Sequence, residues 1–379
     1  MERTNPYMNN IAYFFLMVFA FVLMLSNALA EFMAALILMI WITQTLAYRR
    51  REWMNYPLFK PIAALIGFKF LVIIAAGYDG KFGAVFEQLT LPLIYFIVPS
   101  VVVNSERRQK IVWLLIAGAI LAAGIGVIKY HVGIDVKAAS LVAGSYTLSI
   151  FLVFVLGLVL SMFVFAQNKV EKFFLALVSM PLFVGAIFAL SRICYLALGL
   201  YILILGVFKD RKLLLIIAAI SAIIYFYSPA TIDTINQRFD FSQKKQFYSY
   251  RDDVFNLAML KIREVGFFGY GINSFRELAV DSENPGIRKE SFRSWHSLYY
   301  EYLFDGGPFA LFILLWIIIT QIRYSLARYR KSKDNEQKMF QLGILLMVLG
   351  VIVIGVFDDL LRGPIISMLV WMLLGLSLV

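Results

Sequence analysis

The sequence predicts an all-α polytopic membrane protein with about twelve transmembrane helices, and three observations carry that fold class. Of its 379 residues, 61% are hydrophobic and only 16% are charged, against roughly 25% charged in soluble domains. The apolar residues fall in runs near the length of about 20 that crosses a bilayer as a helix, separated by charged or turn-forming breaks. Lys and Arg are also distributed unevenly: one set of alternate loops holds 18 and the opposite short loops hold 5. The rich side is expected to be cytoplasmic, with both termini on it.

In chain order the expected spans begin with 11–28, 32–46 and 58–77. Ala28-Leu29-Ala30 has the form of a signal-peptidase site. The apolar run before it exceeds the usual length of about 7–15 residues and another span follows at once, so the first helix is expected to remain. Arg49-Arg50-Arg51 closes the second span. Lys60 snorkels at the start of the third, and Lys69 lies inside it, where Glu87 of the next span could pair with it. Spans 84–103, 111–128, 141–166 and 173–190 follow, separated by the Arg107-Arg108 segment, the short loop holding His131, and Lys169 to Lys172. Ser191-Arg192 divides the seventh from 193–208, and Lys209 to Lys212 precede 213–227. After a long connection come 298–322, 340–357 and 364–379, broken by a basic segment from Arg323 to Lys338 and by Asp358 to Arg362.

The long connection, 228–300, divides the chain into a nine-span part (1–227), a periplasmic loop, and a three-span part (301–379). Long loops in compact proteins are usually functional or disordered, and the aromatic content here, from Phe239 to Trp295, favours an ordered helical lid. Ser249 to Asp252 fits a helix start. Phe255, Ala258, Met259, Ile262 and Val265 then recur at helical spacing until Gly266. Ser274 and Glu277 repeat the capping pattern after Gly269-Tyr270-Gly271, and a third helix is expected from His296 into the tenth span.

The net charge of +11 resides entirely in the cytoplasmic segments, so no polyanion-binding surface is needed to explain it. One cysteine, Cys194, and two histidines exclude an intrachain disulfide and a His-cluster metal centre. Gly269 to Ser274 lacks the third glycine and the βαβ setting of a dinucleotide fingerprint. Asp252-Asp253 and Asp358-Asp359 are adjacent pairs, not the Asp-x-Asp that holds a metal-bound nucleotide sugar, so neither metal nor cofactor is expected. Sparse intramembrane charge argues against a transporter, channel or pump.

Three residues are catalytic candidates. His296, where the loop re-enters the membrane, is either an interfacial histidine beside Trp295 or a general base. Arg192, at the outer end of the seventh span, either snorkels to lipid phosphate or grips a substrate phosphate bidentately. Arg251 is either a solvated residue or a second phosphate ligand. Lys81 and Arg362, in outer loops, are candidate additions to substrate binding.

These residues together resemble the lipopolysaccharide O-antigen ligases, within the O-antigen ligase and polymerase superfamily. The resemblance rests on Leu190-Ser191-Arg192, on Arg251 to Phe275 with its Gly269-Tyr270-Gly271-Ile272-Asn273-Ser274 turn, and on His296 with Tyr299, Glu301 and Gly306-Gly307. It also rests on Asp358 to Pro364. Ser297 stands where the family's motif has Asn after His. What the resemblance implies is a GT-C-type, metal-independent, inverting glycosyltransferase of the bacterial inner membrane with its site facing the periplasm. The donor would be a glycan on undecaprenyl diphosphate and the acceptor a lipid A-core hydroxyl. Arg192 and Arg251 would hold the diphosphate and His296 would take the acceptor proton. The alternatives are an O-antigen or other polysaccharide polymerase using the same donor, a protein O-oligosaccharyltransferase, and a polysaccharide transporter.

Overall fold

A computed structural model describes residues 5–49, 51–76, 89–209, 211, 215, 251–280 and 294–379, and among these the regular structure is entirely helical. Helices α1 (Pro6–Val22), α2 (Asn27–Tyr48) and α3 (Phe59–Ala76) open the chain. They are followed by α4 (Ile94–Val101), α5 (Ser105–His131), α6 (Ser145–Phe165), α7 (Lys169–Phe188) and α8 (Arg192–Phe208). The long connection contributes α9 (Arg251–Lys261) and α10 (Ser274–Val280). The chain closes with α11 (Leu298–Lys331), α12 (Asn335–Gly355) and α13 (Pro364–Leu376). Six of these, α2, α5, α6, α7, α11 and α12, are long and apolar enough to cross a membrane, and α1, α8, α13 and the segment Leu91–Val101 are shorter apolar helices.

Several ends differ from the expected spans for identifiable reasons. The first helix stops at Val22, and Ser26 restarts the chain by accepting the Leu29 amide. Charged residues taken as loop form first turns of α5 and α7, where Asn104 accepts the Arg107 amide and Asn168 the Glu171 amide. These are side-chain caps on otherwise unsatisfied amides. The fourth span appears as the 3-10 turn Leu91–Leu93 and the eight-residue α4, with Pro92 and Pro99 in its path. The expected ninth span, 213–227, lies almost entirely outside the described residues.

The helices alternate in direction, so their termini gather at two ends of the bundle. Buried α6 lies at the centre, packed against α7, α8 and α12. At one end Arg108, 2% exposed, donates to Glu336 (2.6 Å), Gln337 (2.7 Å) and the Val379 carbonyl (2.9 Å). This ties the start of α5 to the start of α12 and the chain's last residue. At the other end meet the C-termini of α5, α7 and α12 and the N-termini of α6, α8, α11 and α13; there the Ala138 amide bonds the Phe188 carbonyl at 2.9 Å.

Candidate active site

The site forms at this second end, around the start of α11. Ser297 caps that helix, accepting the Tyr300 amide, and His296 stands immediately before it. His296 has φ 49°, the left-handed conformation that β-carbon crowding makes costly outside glycine. The surroundings determine it from both sides. Trp295, 1% exposed, stacks on Phe304 at 4.0 Å and meets Phe275 edge-on at 5.1 Å. Its indole donates to Ser274 Oγ (3.0 Å) and its backbone amide to Glu301 Oε2 (3.4 Å). On the other side the Leu298 amide donates to the Asp358 carbonyl (2.8 Å).

The result is that His296 meets Asp358 and Asp359, with one donor atom from each of the three lying within 4.8 Å of the others. Asp358 is 9% exposed. A ring nitrogen and two carboxylates this close can do two things: hold an imidazole in one orientation, or offer three ligands to a cation. No local spacing links the Asp pair to His296, because 62 positions separate them and the α12–α13 turn brings them together.

Arg362 is embedded in protein contacts. It donates to Glu301 Oε1 (2.9 Å) and Asn273 Oδ1 (3.0 Å), and lies 3.9 Å from Asp359 Oδ2. Asp305, one turn beyond Glu301, accepts from the Asn273 amide (3.1 Å), the Ser274 amide (3.0 Å) and Ser274 Oγ (2.7 Å). The capping pattern expected at Ser274 and Glu277 is therefore corrected: α10 starts at Ser274 and takes its cap from a carboxylate on α11. Arg362→Met should cost about 3 kcal/mol of stability by leaving Glu301 buried and unpaired. Adding Glu301→Gln should recover part of it, as thermal melts in detergent would read.

The loop sits on α11 through two glycines. α11 is broken at Gly307 (φ 71°), and Gly269 (φ 69°) faces the break. A β-carbon on Gly269 would fall 2.5 Å from the Phe304 carbonyl oxygen, and one on Gly307 would run into the Phe267 carbonyl. The Tyr270 amide bonds the Phe304 carbonyl at 2.7 Å. α9 packs over this joint with Val254, Leu257 and Ala258 against Phe275, Trp295 and Phe304. Its buried face agrees with that expected at Ala258 and departs from it on either side: Val254 and Leu257 are buried, and Phe255 and Met259 are exposed.

Arg251 is the first residue of α9, the helix that covers Trp295. Arg192 begins α8 after Leu190 in the left-handed region (φ 55°) and the buried Ser191. α8 packs on α12, whose end leads into Asp358. Arg192, His296 and Arg362 thus share one end of the bundle with α9. Lys81 and Glu87 lie outside the described residues. Lys69 has its Nζ 5.7 Å from the Tyr302 ring centre and faces Asp305 and Glu301. With Arg362 and Asp359 these groups line a cavity of about 50 Å3, whose other walls are apolar and include Phe68 and Trp371.

Residues 180–315 match the family model described as O-antigen ligase. The match runs from α7 to just past the break in α11 and takes in Arg192, Arg251, Gly269, His296 and Glu301. It supports membership of the O-antigen ligase family, in line with the resemblance carried by the sequence motifs. No curated protein matches the chain.

Proposed function

We propose that this O-antigen ligase family member is a glycosyltransferase of the bacterial inner membrane. In this reading it moves an O-antigen glycan from undecaprenyl diphosphate to a sugar hydroxyl of lipid A-core, on the periplasmic face and without a metal. The observation that carries it is His296, held in a strained backbone against two carboxylates, inside the matched segment.

In mechanism, an imidazole nitrogen of His296 takes the proton of the acceptor hydroxyl. The hydroxyl oxygen attacks the anomeric carbon from the face opposite the diphosphate, whose bond to that carbon breaks, and the configuration inverts. Asp358 and Asp359 fix the ring and stabilise the imidazolium that forms, as a carboxylate does for a catalytic histidine. Arg192 and Arg251 hold the leaving diphosphate and offset its growing charge. Lys81 adds to the same phosphate site. Arg362 joins substrate binding from a fixed position, because Glu301 and Asn273 hold its guanidinium.

The test is chromosomal deletion followed by gel analysis of lipopolysaccharide and of undecaprenyl-linked glycan. Long chains retained on undecaprenyl, with bare core, are expected. Core carrying a single repeat would instead support the polymerase reading, which uses the same donor. The metal-independent mechanism predicts that a chelator leaves turnover of the purified protein unchanged. Loss of turnover with rescue by added metal would reassign His296, Asp358 and Asp359 to a cation.

A further inference from the structure

At the opposite end of the bundle, away from His296, lies a cavity of about 400 Å3, within the size range of pockets for small ligands. Four elements build it. Its floor is apolar, with Val112, Trp113, Leu158, Met162 and Phe340 among the residues that form it. Its polar lining is Gln109, Gln167, Glu171, Asn335 and Glu336, with Arg108 and Ser161 buried beneath them.

The charges of the rim select among ligands. Arg108 is neutralised by Glu336 at 2.6 Å and lies over the Phe340 ring at 4.8 Å. That leaves the exposed Glu171 as the formal charge of the lining without an ion pair, while Lys209, over the Phe165 ring of the same lining at 5.5 Å, stands beside it as a cation. Glu171 belongs to a capping box: its amide is held by Asn168, and its Oε2 accepts the Gln167 amide at 3.1 Å. Its second oxygen is directed at no group within the box. The side-chain amides of Gln109 and Asn335, with the second N–H of Gln167, whose Nε2 already donates to the Phe165 carbonyl at 3.1 Å, are donors suited to phosphate oxygens, and the starts of α5, α7 and α12 converge there, which favours negative charge. An apolar floor, phosphate donors and one spare carboxylate match a molecule that carries an alkyl chain, a phosphate and a cation in that order.

We propose that this cavity binds a glycerophospholipid whose headgroup bears a primary amine. The ammonium meets Glu171, the phosphate meets the rim amides, and the start of an acyl chain lies over Trp113, Met162 and Phe340. The lipid comes from the leaflet on the Lys/Arg-rich side, and it is a bound component of the fold separate from any donor lipid at the His296 end.

The test uses the full-length protein in nanodiscs of phosphatidylethanolamine and phosphatidylglycerol with identical acyl chains, at equal mole fractions. The lipid still attached after delipidation in detergent is then identified by mass spectrometry. Retention should favour phosphatidylethanolamine by about fivefold, the size expected of one partly exposed charge pair. Glu171→Gln keeps a carbonyl oxygen for the Gln167 amide and removes the charge, so it should abolish the preference with at most a small fall in melting temperature from the lost charge at the helix start. Replacing phosphatidylethanolamine by phosphatidylcholine, whose ammonium has no N–H, should also weaken retention. Equal retention of all headgroups, or a preference unaffected by Glu171→Gln, would mean annular lipid only and would overturn the proposal. Neither result touches the reading of the His296 site, which is measured by glycan transfer.

Discussion

His296→Ala is expected to leave the protein folded and inserted while lowering glycan transfer by roughly 10^2- to 10^4-fold, the usual contribution of a positioned acid–base group. Alanine tests the imidazole and the backbone together, because residue 296 is left-handed. Asn tolerates that backbone and cannot act as the base, so His296→Asn isolates the chemistry. His296→Asn should keep the parental melting temperature, His296→Ala should melt slightly below it, and both should lose turnover with purified lipid-linked donor and acceptor. Near-parental turnover in His296→Asn would remove the imidazole from the mechanism. Asp358→Asn should give a smaller loss, since it weakens the ring's orientation without deleting the proton acceptor.

Gly307→Ala is expected to be the most damaging single-methyl change among the substitutions considered. The new β-carbon would strike the Phe267 carbonyl, a backbone atom with no rotamer to yield, at a residue whose φ is 71°. Left-handed strain and overpacking are each worth roughly 1–3 kcal/mol, so a loss of about 3 kcal/mol or more should appear as low yield and a depressed melting temperature. Gly124→Ala is the matched control: a β-carbon there meets nothing within 4 Å, and alanine is the better helix former. Equal behaviour of the two variants would mean that the joint between loop and helix does not hold.

Most helices were legible because an apolar run bounded by charge has few other folded forms in a bilayer. Their ends were less so. Glu106, Arg107 and Arg108 look like a loop in sequence but form the first turn of α5, since Asn104 caps them and Glu336 compensates Arg108 from another helix. The break at residues 23–26 was hidden because Leu23, Met24 and Leu25 are as apolar as the helix before them. Within the site, placing Arg192 and His296 at one end needed only alternation of direction. The fixing of Arg362 by Glu301 and Asn273, and the meeting of His296 with Asp358, depend on tertiary pairings that no local spacing encodes. The face of α9 was legible only at Ala258, because several of its residues, buried and exposed, are apolar and periodicity alone does not choose between adjacent stripes.

The bonds from Arg362 to Glu301 and Asn273 define what could be exchanged between related proteins. These three partners come from the α12–α13 turn, the start of α11 and the turn before α10. A chimaera that imports the loop alone would bring a foreign position 273 to the resident Arg362 and a foreign position 274 to the resident Asp305. The transplantable unit is therefore discontinuous: loop, first turns of α11, and the segment from Asp358 to Gly363 travel together.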